Sequence, residues 1–381
     1  MRTKHVFQQK LSTGLAPVWE LVPVAYTVTL RKTTDDRMST VRNMVLGAIG
    51  ATVVFALLIA LVGVGEFMQT VMTISPRGFG VLVLVALLGI ASMGTSFFTI
   101  NHSLELGFSH LEAVGMFTTI NLAHNLTPFG QAGGEPIGAV FVSRHTSRPY
   151  ETCLAAISAF DVINFVPALL IFVFGGMYVA VFNPTIPADL RPIFGAFSIF
   201  VLVVTVAIIV IHRWSSSLQH VLERVISRFL RWKDKLAWVP SLGPIDVIER
   251  VRGYSEALGV VANRPRVILI ASCFATLAFV SQGILLWVAL LLVDIQLPLA
   301  LTIVIVPISL LASVIPLPGG GGGIEALQVT LIIALGGGSI GLVLTAVVLS
   351  RGIVFWLPVL LGLLTLGMLR HREKNTGYDD E

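Results

Sequence analysis

Residues 318–325 read P-G-G-G-G-G-I-E in the middle of an otherwise apolar part of the chain. Residues 128–135 read P-F-G-Q-A-G-G-E, so both stretches fit the pattern P-x-G-x-x-G-x-E and the second is a repeat of the first. A helix does not continue through such a stretch, because each glycine costs backbone entropy and each proline removes a hydrogen-bond donor. The sequence therefore predicts two breaks in the backbone, formed by Pro128, Gly130, Gly133 and Gly134 and by Pro318, Gly320 and Gly323.

A glutamate closes each of the two breaks, Glu135 in the first and Glu325 in the second. Phosphate-binding loops have Lys followed by Ser or Thr after their glycines, whereas Ile324 and Glu325 follow here. One interpretation is that the glycines only let membrane helices pack closely, as small residues do. The other is a functional site at each break, and we favour it because close packing does not require a carboxylate.

The composition predicts a membrane protein that crosses the bilayer several times. Of the 381 residues, 55% are hydrophobic and only 12% are charged, which is far more apolar than soluble domains are. The net charge is +4, but the basic residues lie beside apolar stretches, so we do not expect a nucleic-acid partner. Both cysteines, Cys153 and Cys273, fall in predicted spans, which supports neither a disulfide framework nor a cysteine metal site.

The predicted fold class is an all-α polytopic membrane protein. Six apolar stretches are long enough for the roughly 20 residues that cross a bilayer core, and the first two are joined by a short loop: 44–64, 80–100, 152–182, 193–211, 267–292 and 339–369. Two further apolar stretches, 113–143 and 298–335, are split by the breaks into halves that are too short to cross. We predict that each is a re-entrant helical hairpin, which enters and leaves on one side of the membrane.

The polar segments predict the orientation of the chain in the membrane. Residues 1–43, 212–266 and 370–381 hold 20 of the 25 Lys and Arg residues, so the positive-inside rule makes them cytoplasmic. The second of these is predicted to be an insertion with amphipathic helices, either on the membrane surface or as a solvated helical hairpin. This orientation requires the two hairpins to enter from opposite sides, so that 44–182 and 193–369 form an inverted-topology repeat. Each copy then has two spans, a hairpin and a further span, as is typical of transporters.

Four charged residues remain within the predicted membrane segments: Glu135, Asp161, Glu325 and Arg351. A charge at the bilayer centre costs roughly 2.5–3.5 kcal/mol on insertion scales, so we expect these side chains to face a cavity or one another. At the spacing that relates the first motif to the second, Glu135 corresponds to Glu325 and Asp161 to Arg351. We hypothesise an ion pair between Asp161 and Arg351. The alternative is that Arg351 holds an anionic headgroup.

Further polar side chains surround the first break, and we include them in the predicted translocation site: His124, Asn125, Gln131 and Arg144. Their donors suit phosphate or hydroxyl groups, although a structural hydrogen bond is the simpler interpretation of His124. No H-x-x-x-H or E-x-x-H spacing occurs among the candidate ligands, so we predict no metal and no cofactor. No Ser-His-Asp or Cys-His signature of catalysis is present, so no catalytic residue is assigned.

Three motifs in order resemble one known family, the lysylphosphatidylglycerol synthase transmembrane region, also called the flippase-like domain family. They are N-L-T-P-F-G-Q-A-G-G-E-P at 125–136 followed by Ser143-Arg144, P-L-P-G-G-G-G-G-I-E at 316–325, and S-R-G at 350–352. The resemblance covers about residues 44–369, and its G-G-E-P wording is most similar to archaeal members. It implies an integral membrane protein that moves, or helps to move, a lipid with a charged headgroup between leaflets.

The same resemblance has two limits. Some members are fused to a soluble aminoacyl-transfer domain, and we expect none here, so the aminoacyltransferase activity is not carried over. Many relatives have an arginine a few residues before the aspartate that matches Asp161, whereas Ile157, Ser158 and Ala159 stand at those places here.

The resulting prediction is a lipid translocase or flippase-like transporter of the cell membrane, with both termini cytoplasmic. Its partner is predicted to be an anionic phospholipid or a polyprenyl-phosphate lipid, and a homo-oligomer is left open. The alternatives are a membrane-embedded enzyme that acts on a phospholipid or a polyprenyl-phosphate carrier, and a membrane scaffold subunit.

Overall fold

The computed structural model describes residues 45–126, 131–182, 195–196, 199, 202–203, 244–314, 320–336 and 338–376. All regular secondary structure in these residues is helical, so the predicted all-α class is confirmed. In chain order the helices are α1 (Val45–Val62), α2 (Val64–Thr73), α3 (Pro76–Ser103), α4 (His110–Leu126), α5 (Gln131–Thr146), α6 (Tyr150–Leu170), α7 (Gly176–Phe182), α8 (Pro244–Ala262), α9 (Pro265–Leu291), α10 (Leu299–Ser309), α11 (Gly323–Ala334) and α12 (Ile340–Thr376). A π-helical turn, Ile171–Gly175, joins α6 to α7, and a 3₁₀ turn, Leu310–Val314, extends α10.

Five of the described helical segments are long and apolar enough to cross a membrane, which confirms a multi-pass membrane protein. They are Val45–Val62, Pro76–Ser103, Tyr150–Tyr178, Pro265–Leu291 and Ile340–Met368. Most of the span predicted at 193–211, and residues 212–243 of the predicted insertion, lie outside the described residues. The described end of the insertion is the helix α8, which packs on α6 and buries Ala257 and Val261.

The connection between the first two spans is helical, not the short loop that the sequence predicted. Gly63 has a φ of 94°, a left-handed conformation that suits glycine, and it turns the chain from α1 into α2. The ten residues of α2 include none that is buried, and apolar side chains such as Met68 and Met72 are exposed. A short amphipathic helix of this kind is typical of a membrane interface, where lipid covers the apolar face.

Helices α3 and α9 make the most extensive contact between any two described elements. Nine of the ten buried residues in each helix correspond in chain order, and every matched pair has the same spacing along the chain. In α3 they include Leu82, Ala86, Ile90, Ser92, Gly94, Ser96, Phe97, Ile100 and Asn101, and in α9 Ala271, Ala275, Phe279, Ser281, Gly283, Leu285, Leu286, Ala289 and Leu290. The two helices therefore bury equivalent faces in the two halves of the chain.

Glycine contacts repeat at the same spacing. A Cβ on Gly94 of α3 would lie 2.8 Å from the Cα atom of Val114 in α4, and a Cβ on Gly283 of α9 would lie 2.6 Å from the Cα atom of Ile303 in α10. Val114 and Ile303 are as far apart in the chain as the two glycines are. This correspondence supports a structural repeat, whereas its inverted orientation in a membrane stays a prediction.

Gly94→Ala and Gly283→Ala are expected to destabilise the protein by similar amounts. Each new methyl group would meet backbone of the adjacent helix, and overpacking of this kind costs typically about 1–3 kcal/mol. Thermal unfolding in detergent measures the effect, and Gly80→Ala in α3 is the control, because a Cβ there meets nothing within 4 Å. A large effect at one glycine with none at the other would contradict the structural equivalence.

Candidate functional site

The stretch in which the sequence predicts the first break falls at the junction of α4 and α5, which pack against each other. Gly134 makes their contact close, because a Cβ at this position would lie 2.7 Å from both the backbone N and the Cα atom of His124. Helix α5 begins at Gln131, so Gln131, Gly133 and Gly134 lie in its first turns and not in broken backbone as predicted. Glycine is tolerated there because its small size permits the approach to His124, whereas the predicted break residues Pro128 and Gly130 lie outside the described residues.

The second break lies between α10 and α11, and two of its glycines have left-handed backbone. Gly320 has a φ of 67° and Gly322 a φ of 84°, conformations that end a helix and that glycine adopts without steric cost. The predicted break is thus present at Gly320. Gly323 is the first residue of α11, so it is helical and not part of the break as predicted. Pro318 lies outside the described residues.

Glu325 is completely buried at the start of α11. Its Oε2 atom accepts a hydrogen bond of 2.7 Å from the backbone N–H of Gly322, and its Oε1 atom accepts one of 2.9 Å from Nε of Arg351. A carboxylate is stabilised in this place because it satisfies an unpaired N–H group and lies at the positive end of the helix dipole. The glycine break and Arg351 of α12 therefore converge on one buried anion.

The pairing of the intramembrane charges differs from the hypothesis of an Asp161–Arg351 ion pair. Arg351 forms its salt bridge with Glu325, because α11 and α12 are neighbours in the chain and pack against each other. Asp161 lies on α6 one helical turn after Ser158, and the Ser158 hydroxyl group donates a hydrogen bond of 3.4 Å to Glu135 on α5, so the two acids lie on either side of the same α5–α6 contact. The second half of the chain thus pairs an acid with a base, and the first half brings two acids together.

The Glu135–Asp161 carboxyl pair has little compensation from neighbouring groups. Ser158 donates a weak hydrogen bond of 3.4 Å to Glu135, and the buried Oδ2 atom of Asp161 accepts none from the described residues. No salt bridge joins either acid to a cation in the described part of the chain. Two full negative charges about 4 Å apart would repel each other by about 4 kcal/mol at an effective dielectric constant of about 20.

The other described residues of the predicted site, His124, Asn125 and Arg144, differ from one another in their contacts and exposure. The His124 ring packs on Gly134 at the start of α5, and its enclosed Nε2 atom has no hydrogen-bond partner in the described residues. Nδ2 of Asn125 donates a hydrogen bond of 3.3 Å to the carbonyl group of Phe355, which ties α4 to α12. Arg144 is exposed in the last turn of α5, so it is not brought together with the buried charges.

A cavity of about 130 Å³ lies between α3, α4, α9 and α12. Its walls are mostly apolar, but Asn121, Ser281 and Gln282 place polar groups in it. Val354 of α12 also lines it, one helical turn after Arg351. The cavity is smaller than the roughly 300–1,000 Å³ of typical ligand pockets, so in this conformation it would accept only part of a lipid headgroup.

The model of one family, the lysylphosphatidylglycerol synthase TM region, matches residues 44–362. The chain belongs to this family. A comparison with curated proteins found no match. The matched range contains both glycine motifs and the four charged residues Glu135, Asp161, Glu325 and Arg351. The five apolar helices are those of a membrane protein, so the protein is a membrane protein of this flippase-like family.

Sequence reasoning missed one buried polar contact of this family member. Gln328 follows Glu325 by one helical turn, and its Nε2 atom donates a hydrogen bond of 3.1 Å to Oγ of Ser309. Both side chains are buried, and the contact joins α11 to the end of α10 across the second break. A polar residue three positions after Glu325 in an apolar helix was the available signal, because residues at this spacing share a helix face.

Proposed function

We propose that this protein is a translocase that moves a lipid with a phosphate-bearing headgroup between the leaflets of the cell membrane. The observation that carries the proposal is the buried Glu325–Arg351 pair at the glycine break. A helix break with buried charge is costly inside a membrane and is tolerated where it lines a site or a pathway. The family of the chain and its five apolar helices support a site for a membrane lipid.

The donors around Glu325 suit a phosphate group. The N–H group of Gly322, at the start of α11, and the guanidinium group of Arg351, from within α12, both bind the Glu325 carboxylate. Helix N-termini and arginine side chains are the groups that most often bind phosphate in proteins. In the proposed mechanism, Glu325 occupies the anion site when no lipid is bound, and the headgroup phosphate takes over these donors during transport.

The lengths of the helices beside the breaks support re-entrant hairpins. Helix α4 has 17 residues and α11 has 12, which at a rise of about 1.5 Å per residue gives lengths of about 26 and 18 Å. Both are shorter than the bilayer core of about 30 Å. Together with the distribution of Lys and Arg, these lengths support inverted repeats with both termini in the cytoplasm, an arrangement in which two half-crossing hairpins expose a site alternately.

Leaflet exchange in proteoliposomes tests the proposal. Native protein is expected to move a labelled anionic phospholipid or a labelled polyprenyl phosphate, and the double variant Glu325→Gln, Arg351→Gln is expected to be at least about tenfold slower. Charge-assisted hydrogen bonds are worth about 1.5–3 kcal/mol, and each 1.4 kcal/mol is a factor of about ten. The double variant replaces both charges together, so neither partner of this ion pair is left charged without the other.

Glu66→Gln is the matched control, because it makes the same chemical change at an exposed glutamate of α2. It should exchange lipid at the native rate. Exchange by the double variant at the native rate would place the translocation site elsewhere. No exchange of either lipid by the native protein would overturn the proposed function.

A further inference from the structure

The repeat relates two pairs of charged positions, and the two halves of the chain differ at one of these pairs. At the spacing that relates the two motifs, Glu135 corresponds to Glu325, but Asp161 stands where the second half has Arg351. The Glu325 carboxylate is balanced by a guanidinium group and by a backbone N–H group. The Glu135 carboxyl group instead lies against the face of α6 that carries a second acid, Asp161. The glutamate at this position of the repeat therefore faces a cation in the second half of the chain and another acid in the first half.

Ionised carboxylates only accept hydrogen bonds, so two acids side by side with little water between them are stabilised when one of them carries a proton. Asp161 is 8% exposed, so water does little to separate two negative charges at this place. We propose that Glu135 and Asp161 together hold one proton and release it during transport, so that lipid movement is coupled to proton movement. When the proton is bound, one carboxyl group donates its O–H to the other and the pair has a charge of −1. When it leaves, the pair has a charge of −2.

The surroundings of the pair are short of hydrogen-bond partners. Ser158, Asp161 and Asn164 follow one another at a spacing of three residues and so share one face of α6. The Oδ1 atom of Asn164 and the Nε2 atom of His124 are enclosed and have no partner in the described residues. These atoms, together with Oδ2 of Asp161, are independent signs that a proton or a small hydrogen-bonding species belongs at this site.

The charged neighbourhood favours a proton over a metal ion. Helix α6 packs on α3, α5, α8 and α9. Among the described residues of these helices, Glu135 of α5 is the ionisable group that acts on Asp161. No group of three or more potential metal ligands occurs in the described part of the chain. Two carboxyl groups supply at most four oxygen ligands, fewer than the six or more that hard cations usually take, whereas one oxygen from each is sufficient to share a proton.

Infrared spectroscopy of the protein in lipid nanodiscs detects the proton directly. Native protein should show the carbonyl stretch of a buried protonated carboxyl group near neutral pH, and the band should disappear at alkaline pH. Glu135→Gln and Asp161→Asn should each lose it, and Glu325→Gln should keep it. A band that is absent from the native protein, or unchanged in both variants of the pair, would overturn the proton site.

Isotope labelling keeps the test valid if a variant does not fold. Native protein labelled with ¹³C at the aspartate side-chain carboxyl carbon, or at the glutamate one, should show the band shifted to lower frequency with one of the two labels. The label that shifts it tells whether an aspartate or a glutamate holds the proton. A band that moves with neither label does not come from these carboxyl groups and would overturn the site.

The coupling rests on the proposed translocase, and a gradient experiment separates the two. With the membrane potential held at zero, one proton coupled to a gradient of one pH unit should drive about a tenfold difference in labelled lipid between leaflets, since a tenfold ratio corresponds to about 1.4 kcal/mol. Exchange that stays symmetric under the gradient would overturn the coupling and leave the translocase intact. Absence of any native exchange would overturn the translocase and with it the coupling.

Discussion

Glu325→Gln is expected to lower the free energy of unfolding by about 3–5 kcal/mol, the range found when one partner is removed from a buried ion pair. The substitution takes away the carboxylate that faces Nε of Arg351 at 2.9 Å, and it replaces the anion that caps the first turn of α11 with a neutral amide. The remaining guanidinium charge then lies in a place from which water is largely excluded. The measurement is thermal or denaturant unfolding of the purified protein in detergent.

A double-mutant cycle separates the ion pair from the loss of the cap. If the pair is the main contribution, Glu325→Gln with Arg351→Gln should be less destabilising than the sum of the two single effects, because the contact between the two charges can be lost only once. Glu66→Gln provides the baseline for a glutamate that is exposed. Strictly additive single effects would show that the two side chains do not stabilise each other.

Gly134→Ala is expected to cost about 1–3 kcal/mol of stability and, in addition, to disturb the acidic pair. The new methyl group would lie 2.7 Å from the backbone N and Cα atoms of His124. Backbone cannot rotate away as a flexible side chain can, so α5 has to move from α4 and takes the neighbouring residue Glu135 with it. We therefore expect reduced thermal stability and loss of the infrared carboxyl band proposed for Glu135 and Asp161.

Gly259→Ala in α8 is the control for this prediction, because a Cβ there meets nothing within 4 Å. It should be neutral or slightly stabilising, since alanine favours a helix over glycine by up to about 1 kcal/mol. A Gly134→Ala protein with native stability and an unchanged carboxyl band would show that the close approach of α4 and α5 does not hold the pair in place.

Several features of the site were predictable because they are local properties of the sequence. The left-handed glycine in the second break follows from a run of five glycines after a proline, which no helix accommodates. The boundaries of the first break were harder to predict. Gly133 and Gly134 are both helical, and Gly134 lies so close to His124 of α4 that a side chain would not fit there. Glycine can either interrupt a helix or let two helices pack closely, and the sequence does not distinguish these two uses.

By itself, the sequence determined that the chain is an all-α, multi-pass membrane protein and that glycine interrupts the helix before Glu325. These conclusions depend on hydrophobicity, span length and backbone freedom, which each residue carries with it. Only the tertiary structure decided which charges meet. Glu325 binds Arg351 and Asp161 meets Glu135 because α11 packs on α12 and α5 packs on α6. Equivalence between the two motifs suggested a different pair, because a repeat relates positions in separate copies, whereas an ion pair forms between side chains that packing brings into contact.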